Sequence, residues 1–370
     1  MREYDEKLVE ILNRVGEPTM VNGVPVEIKN VPDDEIADRL DPRVYKREME
    51  KQKEQTAQKL QDDKESGKKE AEEPSYDEMR KHMGGFNYNL NRVEIYTRYI
   101  EVATSVGKVP VWIHYPRHME GKRPAFLYVH GGGFFGGSPF TLENHCRLIA
   151  ERADCVTFNI EYSLAPDYPY PIPCTQIYEV LCYVHDHGEE FSIDAEKIMM
   201  AGDSAGGNLT AVCAQMDRDK GTCYLKAEVL IYPKLTLSND LLEGYQRDES
   251  AYVIAEEQKE LLPGMIGLGS DKSNAADEAV YVQGNYDITI PYISPAFGKK
   301  EELPKTLLLL AEYDGLRPEG EFYAKQLMEA GVPVRVIRYR GVCHAFFDQL
   351  GILPQTEAAL NEIVGLLLQL

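Results

Sequence analysis

Gly202-Asp203-Ser204-Ala205-Gly206-Gly207-Asn208 follows the apolar run Lys197-Ile198-Met199-Met200-Ala201 and precedes Leu209-Thr210-Ala211-Val212-Cys213-Ala214. A strand-forming run, a serine between glycines and a helix-forming run, in that order, describe a sharp strand-to-helix turn with the Ser204 hydroxyl at its tip. A nucleophile held at positive φ strains the backbone by about 1–3 kcal/mol. Side chains at Gly202 or Gly206 would collide with neighbouring backbone as the strand reverses into the helix. That helix points its unpaired amides at the same spot, where an anion can be held. The pattern by itself decides little, because Gly-x-Ser-x-Gly arises by chance in about one chain in eight of this size.

Outward from the serine, the runs 125–129, 156–160, 198–201, 227–231, 306–311 and 334–339 are apolar throughout. A parallel strand covered on both faces requires such a run. Helical stretches at 142–153, 174–187, 208–217, 319–330 and 355–370 alternate with them. This alternation predicts an α/β fold with a mostly parallel, doubly wound sheet, whose sites lie beyond the carboxyl ends of the strands. Residues 92–102 and 109–115 alternate with a period of two and predict an antiparallel pair at a sheet edge. Residues 236–291 carry no strong strand and read as a cap inserted above the sheet, with an acidic helical patch at 255–262.

Upstream, residues 1–42 combine an amphipathic segment (Leu8, Ile11, Leu12, Val15) with a proline-containing loop around 21–33. Residues 43–73 are rich in Lys, Glu, Gln and Asp and read as a solvated helix or linker, with an assembly arm as the other reading. A short helix at 76–83 ends at Gly84-Gly85. Residues 1–85 are expected to be a helical, charged arm contributing to the cap, and residues 86–370 a second, larger domain that carries the sheet.

A serine hydroxyl attacks only when an imidazole removes its proton, and the imidazole needs an anion to fix its tautomer and stabilise its charged form. His344, in Gly341-Val342-Cys343-His344-Ala345-Phe346-Phe347, is the one histidine downstream of Ser204. Leu307-Leu308-Leu309-Leu310-Ala311-Glu312-Tyr313-Asp314 supplies two carboxylates beyond a strand. Asp314, in a Gly315-containing turn, is the favoured acid and Glu312 the alternative. His130-Gly131-Gly132-Gly133-Phe134-Phe135 follows the strand 125–129, and bare glycine amides there can approach an oxygen that becomes negative during acyl transfer. The expected oxyanion donors are the amides of Gly132, Gly133 and Ala205, with Gly131, His130 and Asp203 as support.

His130–Phe134 together with Gly202–Gly206 resembles the hormone-sensitive-lipase branch of the α/β-hydrolase esterases, the bacterial family IV type. Tyr162-Ser163-Leu164-Ala165-Pro166-Asp167-Tyr168-Pro169-Tyr170-Pro171 is similar to that branch's Tyr-Arg-Leu-Ala-Pro-Glu-x-Pro-x-Pro signature, with Ser163 in place of arginine. Two further motifs depart from the family pattern. Asp-Pro-Leu-Arg-Asp-Glu-Gly becomes Asp314-Gly315-Leu316-Arg317-Pro318-Glu319-Gly320, and His-Gly-Phe becomes His344-Ala345-Phe346. The resemblance covers about residue 86 to the C-terminus. It implies an α/β-hydrolase fold and a serine carboxylic-ester hydrolase working through an acyl-enzyme, with no cofactor and no metal. Short-to-medium acyl esters are the expected substrates; acetylated sugars, aryl amides and a non-catalytic small-molecule receptor are the alternatives.

Composition narrows the partners. A net charge of −21 over 370 residues repels phosphate backbones and anionic lipid surfaces, so neither nucleic acid nor a membrane is expected to bind. The seven cysteines contain no zinc spacing and no C-x-x-C pair, and an odd, scattered set reads as reduced thiols of a cytoplasmic protein. No apolar run reaches signal-peptide or membrane-span length near the start. A small-molecule ester is the expected partner, and a homo-oligomer is compatible with the chain.

Overall fold

The computed structural model describes every residue except Met1, Val15, Glu17, Glu35, Ala37, His82 and the stretches 67–74, 118–120, 246–248 and 269–271. Side chains 55, 58–66, 272 and 273 are likewise not described. Val15 and the end of the charged run, 67–73, thus lie outside the described residues.

In chain order the first strands are β1 (Thr19–Val21), β2 (Val24–Lys29), β3 (Phe86–Asn87), β4 (Ile95–Thr104), β5 (Gly107–Pro116) and β6 (Arg123–Val129). They are followed by β7 (Val156–Ile160), β8 (Ile193–Asp203), β9 (Leu225–Ile231), β10 (Lys305–Tyr313), β11 (Val334–Cys343) and β12 (Gln349–Leu350). Ten of them form one sheet in the order β1-β2-β11-β10-β9-β8-β6-β7-β5-β4, while β12 and β3 pair separately. From β2 to β7 every neighbour is parallel. The β5–β7, β4–β5 and β1–β2 pairs are antiparallel, so the expected edge pair is present.

The apolar runs are double-sided because their side chains alternate between two cores. Phe126, Tyr128, Met199, Ala201, Leu307 and Leu309 face α1 (Glu6–Leu12), α4 (Glu143–Ala153) and α11 (Pro354–Leu367). Leu127, Val129, Ile198, Met200, Leu308 and Leu310 face α5 (Ile172–Asp186), α7 (Ala205–Asp219) and α10 (Arg317–Glu329). Each such Leu or Met, fully buried, contributes about 1.5–3 kcal/mol. The central strands are therefore the most firmly held part of the chain, and their carboxyl ends make a stiff platform.

Three expectations change. The proline-containing loop expected around 21–33 includes β2, which adds to the main sheet beside β11. Pro25 argued against a strand, but it faces only the short edge strand β1, where a missing amide is tolerated. The arm therefore extends the sheet as well as meeting the inserted segment. Leu40, with Val44 and Tyr45 of α2 (Pro42–Ser66), packs against Tyr252, Leu262 and Ile266. The acidic patch at 255–262 makes one 3₁₀ turn, Glu256–Gln258, and the helix there, α8 (Leu262–Ile266), starts only where Pro263 fits its first turn. The third helix of the arm, the short α3 (Tyr76–Lys81), ends before Gly84 as expected. A four-residue helix, α6 (Gly188–Phe191), leads into β8, and α9 (Lys272–Asp277) follows α8 in the 236–291 segment, where the described residues form no strand.

Candidate active site

Ser204 sits where β8 ends and α7 begins, with φ 53° and ψ −118°, the left-handed turn that its glycine neighbours permit. A Cβ on Gly202 would lie 2.2 Å from the Gly206 carbonyl oxygen, and one on Gly206 would lie 2.1 Å from that of Val129. The backbone pins the turn as well: Ser204 N–H donates to the Ile231 carbonyl at 2.9 Å, and Lys234 N–H donates to the Ser204 carbonyl at 3.1 Å. Serine is thus held at the centre of the sheet by the end of β9 and the residues just beyond it.

The loop beyond β11 brings His344 to it. His344 Nε2 lies 2.9 Å from Ser204 Oγ, and Nδ1 lies 2.8 Å from Asp314 Oδ2. Asp314 follows β10 and is buried; its Oδ1 accepts from the Leu316 amide at 2.9 Å, and its carbonyl accepts from the Tyr252 hydroxyl at 2.7 Å. Burial disfavours the imidazolium of His344, but the charge and hydrogen bond of Asp314, with Asp203 and Asp348 nearby, outweigh it and raise the pKa above the ordinary histidine value. With Nδ1–H held by Asp314, the neutral ring presents a bare Nε2 to the serine.

Glu312, the alternative acid, is occupied elsewhere. Pairing runs from Ala311↔Tyr339 to Tyr313↔Cys343, so β11 bulges opposite Glu312. The Glu312 carboxylate accepts the Gly341 amide of that bulge at 2.9 Å. It supports the strand that delivers His344, and makes no contact with the ring.

The glycine loop after β6 is shaped by Asp203. Asp203 Oδ1 accepts from the Tyr128 hydroxyl and from the Gly131 amide, each at 2.8 Å. A Cβ on Gly131 would stand 2.3 Å from Asp203 Oδ2, so only glycine lets the loop come this close. His130 lies beneath: its Nδ1–H donates to the Gly131 carbonyl at 2.9 Å and its ring stacks on Tyr162 at 4.4 Å. Burial pushes His130 down to about 4, which keeps it neutral and a fixed donor. The amides of Gly132, Gly133 and Ala205 have no hydrogen-bond acceptor among the described residues, and all three residues line the Ser204 cleft.

Both motif departures have a local explanation. Ala345 adopts φ 62°, the conformation a glycine takes freely, and its single methyl is the smallest side chain that can follow. Pro318 falls in the first turn of α10, where its missing amide costs nothing.

The cleft encloses about 600 Å³. Gly131, Gly132, Gly133, Ser204, Asp314 and His344 line it, with Met265 and Ile266 of the inserted segment opposite. No group of three or more metal-ligating side chains occurs among the described residues. Tyr252, Asp348 and Lys234 face or brace this cleft without having stood out in the sequence. Lys234 was the most visible of them, a charge directly after the strand end Tyr232-Pro233.

A serine, an imidazole and a carboxylate in hydrogen-bonded line at the carboxyl rim of a parallel sheet, in that chain order, place the molecule among the α/β hydrolases. The chain belongs to the alpha/beta hydrolase fold family, which matches residues 126–348. Esterase LipI of Mycobacterium tuberculosis is 32% identical over 245 residues, 65% of this chain and 71% of that one. An arylesterase of Saccharolobus solfataricus is 28% identical over 74% of this chain and 83% of its own. Among solved structures, a hyperthermophilic esterase from the archaeon Pyrobaculum calidifontis aligns with a TM-score of 0.66 at 32% identity, covering 74% of this chain and 85% of that one. EstE1, a thermostable carboxylesterase from a metagenomic library, aligns with a TM-score of 0.68 at 26% identity over 80% and 97%. The seven cysteines are unpaired, and no helix among the described residues is long and apolar enough to cross a membrane.

Proposed function

We propose that the protein is a serine carboxylic-ester hydrolase in which Ser204, His344 and Asp314 form the catalytic triad. The hydrogen-bonded line from Ser204 Oγ through the His344 ring to Asp314 carries this reading. Ser204 Oγ attacks the acyl carbon as Nε2 takes its proton, and the carbonyl oxygen becomes negative. The amides of Gly132, Gly133 and Ala205 receive that charge, each donor stabilising the transition state by roughly 3–4 kcal/mol. His344 returns the proton to the leaving alcohol, and the acyl group remains on Ser204. Water, deprotonated by the same ring, then releases the acid.

The cleft volume and the apolar side chains of Met83, Phe134, Leu142, Met265 and Ile266 suit short-to-medium acyl chains. Ser204→Ala should lower turnover of p-nitrophenyl butyrate by about 10⁴-fold or more with an unchanged circular dichroism spectrum. Undiminished turnover would refute the nucleophile. Across a p-nitrophenyl ester series, kcat/KM should fall beyond medium chains, and equal rates on long-chain emulsions would contradict the size limit.

A further inference from the structure

One wall of the cleft is too polar for a hydrocarbon. Lys234 is 4% exposed, and its ammonium donates to Asn274 Oδ1 and lies 3.5 Å from Asp277 Oδ2. Its backbone amide is the one bonded to the Ser204 carbonyl, so the side chain starts next to the nucleophile. Asp277 also lies near the glycine loop: its Oδ1 would be 3.9 Å from a Cβ on Gly133.

Two acceptors complete the wall. Asn239 Oδ1 is buried and has no hydrogen-bond partner among the described residues. Glu319, 3% exposed, sets a second carboxylate into the cleft beside the Leu235 and Thr236 amides. Burial pushes its carboxyl up to about 7, against the opposing pull of the Lys234 charge and the nearby Leu235 and Thr236 amides. Lys234, Asn239, Asn274, Asp277 and Glu319 line the same cleft as Ser204.

Buried donors and acceptors left unmatched are costly, and a site that must hydrogen-bond a substrate hydroxyl discriminates strongly against the analogue lacking it. A hydroxyl both donates and accepts, so it satisfies an ammonium and an amide or carboxylate oxygen at once. We propose that this wall is a subsite for an alcohol portion bearing free hydroxyls, so that the preferred substrates are acyl esters of polyols or sugars. The inference rests on the ester-hydrolase reading and names its substrate class. Lys234 and Asn239 contact the hydroxyls, Asp277 and Asn274 hold the ammonium in place, and the hydrocarbon-lined remainder receives the acyl chain.

Glyceryl monobutyrate and propyl butyrate form the same acyl-enzyme and differ only in hydroxyls on the leaving alcohol. The full-length protein should favour the glyceryl ester at least about tenfold in kcat/KM. Lys234→Met and Asn239→Leu, tested separately, should each reduce that ratio about tenfold. A protein with no preference, or variants that lose rate equally on both esters, would overturn the subsite and leave Lys234 as an internal tie to α9. Hydrolysis of p-nitrophenyl butyrate by the same preparation separates the two levels. Turnover without glyceryl preference defeats the subsite alone, and no turnover of any ester defeats the hydrolase reading with it.

Discussion

Between β6 and β11, the groups around Ser204 are tied down by hydrogen bonds to backbone: Ser204 by the Ile231 carbonyl and Lys234 amide, Asp314 by the Leu316 amide, and the glycine loop by the Asp203 carboxylate on the Gly131 amide. The segment 236–291 reaches the same cleft with side chains on short helices and turns, such as Met265 on α8 and Asn274 on α9. A reaction centre tolerates displacements of only a fraction of an ångström, so it belongs on the rigid rim. Selectivity can sit on connections, which vary without disturbing a core. Substitutions on the rim should therefore change how fast any ester is cleaved, and substitutions on the facing wall should change which ester is cleaved.

The largest test contrasts the two carboxylates of the rim. Asp314→Asn should cost about 10⁴-fold in kcat, because the His344 ring loses the anion that fixes its tautomer and stabilises its charge. Glu312→Gln keeps an oxygen for the Gly341 amide, so kcat should change little. Comparable losses for the two variants in steady-state kinetics would move the acid from one residue to the other.

Gly131→Ala should be next, with about 10²–10³-fold lost in kcat for every ester tested, since the new methyl would meet Asp203 and displace the amides facing the oxyanion. Its effect on the glyceryl-to-propyl ratio should be small. A change in that ratio as large as the loss in rate would blur the proposed division between rim and wall.

The smallest effect concerns pH. The base must be neutral to act, so kcat/KM should fall as pH drops through a His344 pKa that lies above the ordinary histidine value. Burial and the neighbouring Asp203 charge push the Asp348 carboxyl upward, and to the extent that it ionises its charge favours the imidazolium beside it. Asp348→Asn should move the acid limb of the profile to lower pH, and a limb that stays fixed or moves upward would remove Asp348 from the electrostatics of the ring.

Short-range chemistry is what a linear chain records well. The turn at Gly202–Gly206 was legible because its constraints fall within a few residues: no room for a Cβ, a strand before and a helix after. The core strands were legible because two-sided burial leaves an unbroken apolar run, and 156–160 matches β7 residue for residue. Helix ends shifted by a few residues, as at 208–217 against Ala205–Asp219, since α7 takes in the glycines of the turn itself. β2 was hidden because Pro25 weakens its local signal, and its pairing with β11 spans about three hundred residues.

The amino-acid sequence by itself determined the serine turn, the glycine loop, the downstream histidine and the sheet that carries them, because each follows from local sterics or from periodicity. The sequence favoured Asp314 over Glu312, and tertiary structure alone shows why they differ: the β11 bulge turns the Glu312 carboxylate to a backbone amide, while Asp314 bonds the His344 ring. It also decided that Lys234 faces the cleft with Asn274 and Asp277, residues forty and more positions away. A side chain's direction and partners depend on what packs around it, and that information exists only once the chain has closed on itself.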